Sequence, residues 1–266
     1  MTERLIPSEP KIGVIIGTHA AVPYIHLHLE SARRNYPEVR LLVNDDGSPF
    51  STHLAQLCYK YEADFYCNSS GRLQWTTGDL TNYARGVLWG WENELDIVVK
   101  FSRRFIPLVN WVPDLKALAW ESDYPTYSSY SEYFGFGFLT ECLGMHVRSW
   151  LPFVPNIHEE VRISRRECGS FVEHRIHLIA EKVLENSRSE VNKGWDEKNP
   201  MPEARRGYAN WDLAYEKAKK KPERLWHDCN TPEDYAEVAK QWGLPYKAKD
   251  FKDPDMSWGG DKGEDH

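Results

Sequence analysis

Two hydrophobic periods alternate along the first half of the chain. Lys11 to Gly17 is a short apolar run bounded by glycine, which predicts a strand buried on both faces. From Pro23 to Tyr36 the apolar positions Ile25, Leu29, Ala32 and Tyr36 recur at helical spacing. Arg40 to Val43 predicts a second strand, which ends abruptly in Asn44-Asp45-Asp46-Gly47-Ser48-Pro49. Leu54, Leu57, Cys58 and Tyr61 form the buried stripe of the next helix, and Ala63 to Tyr66 predicts a third strand. The longest helical stripe runs through Leu80, Tyr83, Ala84, Val87, Leu88 and Trp91, and Asp96 to Phe101 follows as a fourth strand. Strands and helices joined by short loops imply right-handed crossovers and a mostly parallel α/β sheet flanked by helices. Ligands of such sheets bind at the carboxyl ends of strands. That rule singles out three loops, at 17–19, 44–48 and 102–104.

The second half is less regular. Asp123 to Phe138 is rich in Tyr, Ser, Phe and Gly and reads as a mobile or antiparallel segment whose aromatics either face a ligand or pack a hairpin. Gly169 to Leu184 returns to helix, with Val172, Ile176, Ile179, Ala180 and Val183 on one face. Thr231-Pro232-Glu233-Asp234 is a helix start, with a capping Thr, proline in the first turn and an acid three residues on. Gly243 ends that helix, and from Lys247 onward charge and glycine predict a flexible tail. There is no internal repeat.

Composition narrows the class. The 266 residues carry 33 Lys+Arg against 40 Asp+Glu, a formal charge of −7, with 41% hydrophobic and 13% aromatic residues. Disordered, collagenous and coiled-coil chains are excluded. An acidic surface also disfavours nucleic acid, whose binding needs positive charge to release counterions. Cys58, Cys67, Cys142, Cys168 and Cys229 form no CxxC pair, so free thiols are expected. Met1 to Pro10 lacks an apolar signal core, and no apolar run approaches the roughly 18 residues of a membrane helix. The chain therefore reads as soluble and cytoplasmic, with no transmembrane segment.

The loop Asn44 to Ser48 is the most informative segment. Adjacent carboxylates repel each other, so a purely structural turn seldom has both. One can accept hydrogen bonds from a base edge or from ribose hydroxyls, while Gly47 permits a sharp turn. An ordinary Asp-Gly turn is the competing reading.

Val14-Ile-Ile-Gly-Thr18, the helix end Leu29 to Pro37, and Leu42-Val-Asn-Asp-Asp-Gly-Ser48 together resemble the GT-A fold glycosyltransferases, especially the large family with a "DDGS" turn. The resemblance covers about residues 11 to 110. It implies a nucleotide-diphosphate sugar donor held by Thr18, Asp45, Asp46, Gly47 and Ser48, and a carbohydrate or glycoconjugate acceptor. His19 stands where such enzymes often carry an aromatic. Asn82 and Arg85 fall where polar residues face the donor. The implied division is a nucleotide-binding half at 1–110, an acceptor-binding half with the C-terminal helices at 111–246, and the tail at 247–266.

One departure matters. Where the family carries its Asp-x-Asp metal motif, this chain reads Lys100-Phe-Ser102-Arg103-Arg104-Phe-Ile-Pro107. The carboxylates that would hold Mn²⁺ or Mg²⁺ are missing from that position, so no metal ligand and no firm cofactor is expected; transfer is expected to be metal-independent, with Mn²⁺ or Mg²⁺ as the open alternative. Arginine matches phosphate oxygens bidentately and keeps its charge. Arg103 and Arg104, with Lys100 and Ser102, are therefore expected to bind the leaving diphosphate, with one of the two arginines pointing into the cleft.

An inverting transfer also needs a base for the acceptor hydroxyl. Glu173 is the first choice, early in a helix with His174 and His177 nearby, and Glu159 and Glu160 compete. His227, in Leu225-Trp-His-Asp-Cys229, is a candidate for the diphosphate or a metal, since a late histidine often serves so in the family. His158, His174 and His177 form no HExxH pattern. Two other readings stay open. A catalytically silent GT-A-like binding module would explain the missing Asp-x-Asp. A nucleotidyltransferase is suggested by Asn230 to Tyr235, which resembles the late "NTPED" segment of molybdenum-cofactor guanylyltransferases and sugar-phosphate nucleotidyltransferases, although the triphosphate-cradling loop of those enzymes is absent.

Overall fold

The computed structural model describes residues 5–71, 73, 75–122, 124–128, 139–164, 172–191, 209–211, 213 and 220–252. In chain order the elements begin with β1 (Ile12–Thr18), α1 (Val22–Asn35), β2 (Arg40–Asp45), α2 (Ser51–Lys60), β3 (Asp64–Cys67) and α3 (Trp75–Glu92). They continue with β4 (Ile97–Ser102), β5 (Phe105–Pro107), α4 (Val112–Ser122), β6 (Thr126–Ser128), β7 (Cys142–His146), α5 (Val147–Trp150) and α6 (Val154–Ser164). The last are α7 (Val172–Val191), β8 (Ala209–Asn210), β9 (Arg224–Trp226) and α8 (Pro232–Gln241).

The near-continuous apolar sequence of β1 makes it a central strand. It pairs in parallel with β2 on one side and β4 on the other. The sheet order is β3-β2-β1-β4-β7-β6-β8. β7 runs antiparallel to both β4 and β6, and β8 is parallel to β6. The four strands β1 to β4 thus share one sheet with β6, β7 and β8, while β5 and β9 form a separate two-stranded ribbon.

Alternation along β1 divides the core. Val14 and Ile16 pack with Ile25 and Leu29 of α1, Leu54 of α2 and Trp111 on one face. Ile15 packs with Val98, with Leu80, Tyr83 and Val87 of α3, and with Ile176 and Val183 of α7 on the other. A third cluster joins Tyr24 and Leu27 of α1 to Ile106, Leu225, Tyr235 and Phe251. It seats α8 and the β5–β9 ribbon beside the carboxyl ends of the strands.

Several expectations shift in detail. The four early strands each lie within two residues of their predicted bounds, because periodicity and glycine boundaries act locally. The helix predicted from Gly169 starts, among described residues, at Val172. Part of the Tyr/Ser-rich segment is strand β6, antiparallel to β7, while 129–138 and Cys168 lie outside the described residues. Ala248–Phe251 forms a 3-10 turn rather than a loose tail. There the Phe251 ring stacks on Tyr235, and Tyr24 Oη donates to the Phe251 carbonyl at 2.5 Å. Residues 253–266 lie outside the description. Cys58, Cys67, Cys142 and Cys229 are free thiols, and no described helix is long and apolar enough to cross a membrane.

Candidate functional site

Register places the three singled-out loops side by side. Gly17 is opposite Asn44 of β2 and Ser102 of β4, and Thr18 is opposite Asp45. Gly17 must lack a side chain, because a Cβ there would lie 2.0 Å from the Asn82 amide nitrogen. Asn82, on α3, is buried and accepts a 2.5 Å hydrogen bond from Asn44 Nδ2. Along this edge Thr18 Oγ1, Asn44 Oδ1, Asp45 Oδ1 and Ser102 Oγ are all buried without a hydrogen-bond partner. Buried polar atoms are nearly always satisfied. Orphans concentrated at three adjacent strand ends are what a polar ligand would complete.

The two carboxylates of the Asp-Asp-Gly-Ser turn have divided roles. Asp45 Oδ2 accepts from Ser48 N and Ser48 Oγ, both at 3.2 Å, and from Ser51 Oγ at 2.5 Å. One oxygen thus holds the turn and the start of α2. Asp46 reaches the neighbouring loop, accepting from Asn68 Nδ2 at 3.2 Å and from the Leu73 amide at 3.0 Å. Gly47 has a φ of 66°, and a Cβ there would come 2.8 Å from the Gly71 carbonyl carbon.

His19 and Arg103 link the first loop to the others. His19 Nδ1 donates to the Asp46 carbonyl at 3.0 Å, and Arg103 Nη1 donates to the His19 carbonyl at 3.3 Å. The β4–β5 turn that carries the arginines is fixed from below and from the side. His28 Nε2 donates to the Ser102 carbonyl at 3.1 Å, with its ring stacked on Phe101. Burial depresses the His28 pKa to about 4, so the imidazole is neutral. Tyr235 Oη donates to the Arg104 carbonyl at 2.5 Å, and the Arg104 charge is felt at that phenol. Both arginines are half-buried. Arg103 extends toward β1, while Arg104 lies toward α8.

Lys100 has an internal partner instead of an exposed one. Its side chain is 1% exposed, and Nζ lies 2.6 Å from Asp79 Oδ1 of α3. Nζ also donates to the Thr140 carbonyl at 2.8 Å, and Tyr83 Oη donates to the same carbonyl. The Thr140 hydroxyl in turn donates to Glu173 Oε1 at 2.8 Å. Glu173, in the first turn of α7, is thereby joined to the Lys100–Asp79 pair beneath the strand ends. Burial, together with the charges of Asp79, Glu173 and Glu141, raises the Tyr83 pKa well above the phenol range.

The competing glutamates are engaged elsewhere. Glu159 pairs with Arg162 on α6, and Glu160 pairs with Arg175 of α7 at 2.5 Å. His177 pairs with Glu181 at 3.2 Å, and burial lowers its pKa. His158 is exposed. Arg85 stacks its guanidinium 3.6 Å from the Tyr66 ring centroid. Asn230 to Tyr235 forms the start of α8, where the Thr231 amide donates to Asp234 Oδ2 at 2.7 Å. A helix cap accounts for that segment.

His227 joins a group that sequence spacing does not reveal. Glu141, His227 and Asp228 each bring a ligand-type atom within 4.8 Å of the others, and His227 Nε2 lies 3.1 Å from Asp228 Oδ1. Two carboxylates and one imidazole fit a divalent cation of the Mn²⁺ type. The only local cue is the His227-Asp228 doublet; Glu141 is distant in sequence and carries none. Asp79 and Thr140 likewise carry no local signal in the sequence.

No protein-family model matches the chain, and no curated protein matches it. Among solved structures it is similar to TarS of S. aureus, with a TM-score of 0.51 and 12% identity, over 90% of this chain and 41% of TarS. The chain has the GT-A-like fold of glycosyltransferases. The glycosyltransferase GlyE of Streptococcus pneumoniae TIGR4 matches with a TM-score of 0.46 and 12% identity, over 77% of this chain and 46% of GlyE. The mannosyltransferase PcManGT of Pyrobaculum calidifontis, solved with GDP-Man and Mn²⁺, matches at 0.44 and 13%, over 66% and 52%. The chain thus spans about half the length of these proteins or less. Within the GT-A-like fold, the orphaned strand-end atoms and the arginine turn share the carboxyl edge of the sheet.

Proposed function

We propose that this chain is a glycosyltransferase that moves a hexosyl or pentosyl group from a nucleotide-diphosphate donor to a hydroxyl of a glycan or glycoconjugate. The observation that carries the reading is the row of buried, unpartnered polar atoms on Thr18, Asn44, Asp45 and Ser102. They lie at the edge where open α/β sheets bind their ligands. Thr18, His19 and the Asp45 to Ser48 turn would hold base and ribose. Arg103 and Arg104 would take the diphosphate, their fixed positive charge stabilising it as it leaves. Lys100 and His28 support that turn without touching the donor.

In an inverting course Glu173 accepts the acceptor proton. The acceptor oxygen bonds to the anomeric carbon as the bond to the diphosphate breaks, and the electron pair leaves with the diphosphate. The hydrogen bond from Thr140 keeps one Glu173 oxygen occupied and leaves the other to take the proton.

The test is a panel of nucleotide sugars and free nucleoside triphosphates, scored by thermal shift and by release of nucleoside diphosphate. Stabilisation by nucleotide sugars with slow diphosphate release is expected. Stabilisation by triphosphates alone would point to a nucleotidyltransferase. Binding with no release for any acceptor would point to a silent binding module, the reading that the missing Asp-x-Asp favours.

A further inference from the structure

We infer that Glu141, His227 and Asp228 form a divalent-cation site that stands in for the absent Asp-x-Asp carboxylates, supplied from two segments other than the turn itself. The role of the ion in transfer rests on the proposed function, but its binding does not.

Topology brings the three residues to the same turn by two separate routes. The Ser102 amide donates to the Glu141 carbonyl at 2.8 Å, so Glu141 lies directly beside the start of the Ser102-Arg103-Arg104 turn. Phe105, which follows Arg104, pairs with Trp226 across the β5–β9 ribbon, so His227 and Asp228 emerge at the other side of that turn. Charges of both Arg104 and Asp228 act on Tyr235, so both groups lie within electrostatic reach of that phenol. The side chains of His227 and Asp228 are 13% and 15% exposed, so the pair is shielded yet not sealed.

The spacing suits an ion. Around a cation with ligands at about 2.1 Å, octahedral neighbours are about 3 Å apart and opposite ligands about 4.2 Å. The ligand-type atoms all lie within 4.8 Å of one another, and one pair is 3.1 Å apart, so a small contraction closes the site. Two oxygen donors and one imidazole favour Mn²⁺ over a thiolate-seeking metal. Three protein ligands leave coordination positions for water or for phosphate oxygens. Two carboxylates this close repel each other unless a positive charge lies between or beside them. The alternative to an ion is compensation by the Arg104 guanidinium alone, which leaves no affinity for metal.

The experiment uses the full chain, stripped with chelator and titrated with MnCl₂ in the absence of any nucleotide. Disappearance of the free Mn²⁺ electron paramagnetic resonance signal reports uptake. Saturable binding of a single ion is expected, with a rise in melting temperature. His227→Gln, and separately the pair Glu141→Gln with Asp228→Asn, should weaken uptake by about tenfold or more. No saturable uptake up to millimolar Mn²⁺ overturns the inference, as does uptake unchanged in the variants. If the variants do not fold, electron spin echo on the wild-type complex decides: nitrogen modulation from an imidazole ligand is required, and its absence overturns the site. Because no nucleotide is present, failure here leaves donor binding by the panel above unaffected. Failure of the panel likewise leaves the ion result standing.

Discussion

Lys100 Nζ lies 2.6 Å from Asp79 Oδ1, with the lysine side chain 1% exposed, so β4 and α3 are joined by an ion pair directly under the candidate site. An ammonium held that deep is stable only while its partner and the Thr140 carbonyl accept its protons. Asp79→Ala leaves the cation uncompensated and should cost about 3 kcal/mol, read as a shift in urea midpoint. The double variant Lys100→Met/Asp79→Leu removes both charges and should recover most of that loss. An Asp79→Ala protein as stable as wild type would show that the pair is not formed.

Replacing both arginines tests the diphosphate assignment. Arg103→Ala/Arg104→Ala should lower transfer by about 100-fold or more, in line with the loss of charged groups at a leaving group. Both side chains are only half-buried, so the melting temperature should move little. Full activity in this variant would remove the arginines from the chemistry.

Glu173 and Thr140 should separate chemistry from binding. Glu173→Gln keeps the shape and the bond to Thr140 but cannot take a proton, so kcat should fall by about 100-fold or more with donor affinity unchanged. Thr140→Val frees the carboxylate from its hydroxyl donor, so the base is held less firmly and kcat should fall while donor affinity stays unchanged. An unaltered kcat in Glu173→Gln would reassign the base.

Acid should destabilise the fold through histidines that are buried neutral. Burial lowers His28, His146 and His26 from 6.5 to about 4. Below 6.5 the unfolded chain gains protons that the native chain refuses, so stability falls as pH drops from 6.5 toward 4 and is fully present above that window. Fully buried His28 alone should contribute about 3 kcal/mol to the loss. His28→Gln can still donate to the Ser102 carbonyl but does not titrate. Its stability should therefore decline less steeply over the same window, measured by chemical denaturation at stepped pH.

Gly47→Ala should be among the costlier single changes at the site. The residue has a φ of 66°, and an added Cβ would meet the Gly71 backbone at 2.8 Å and the Asn68 carbonyl at 2.9 Å. Strain at such a position costs about 1 to 3 kcal/mol. Loosening of the loop that Asp46 holds should accompany it, visible as faster amide exchange at Leu73.

Much of this protein is written locally. Periods of two and 3.6, broken by glycine and proline, place β1, β2, β3, β4 and α1 within a few residues, because each depends on neighbours along the chain. Strand ends follow from those bounds, so the sequence places the loops with Thr18, Asp45 and Ser102 at one edge of the sheet, where register sets them side by side. The Thr231 to Asp234 cap was legible for the same reason. Which charges meet was not. Lys100 looks like a ligand-facing cation until α3 supplies Asp79, and β7, entering antiparallel beside β4, brings Thr140 and Glu141 alongside. Asp45 looks free until Ser48 and Ser51 close on it. Phe251 looks like tail until Tyr24, 227 residues earlier, binds its carbonyl. Hydrophobic pattern records which face of an element is buried. It carries no record of which distant element buries it, and the pairing of polar groups depends on that second fact alone.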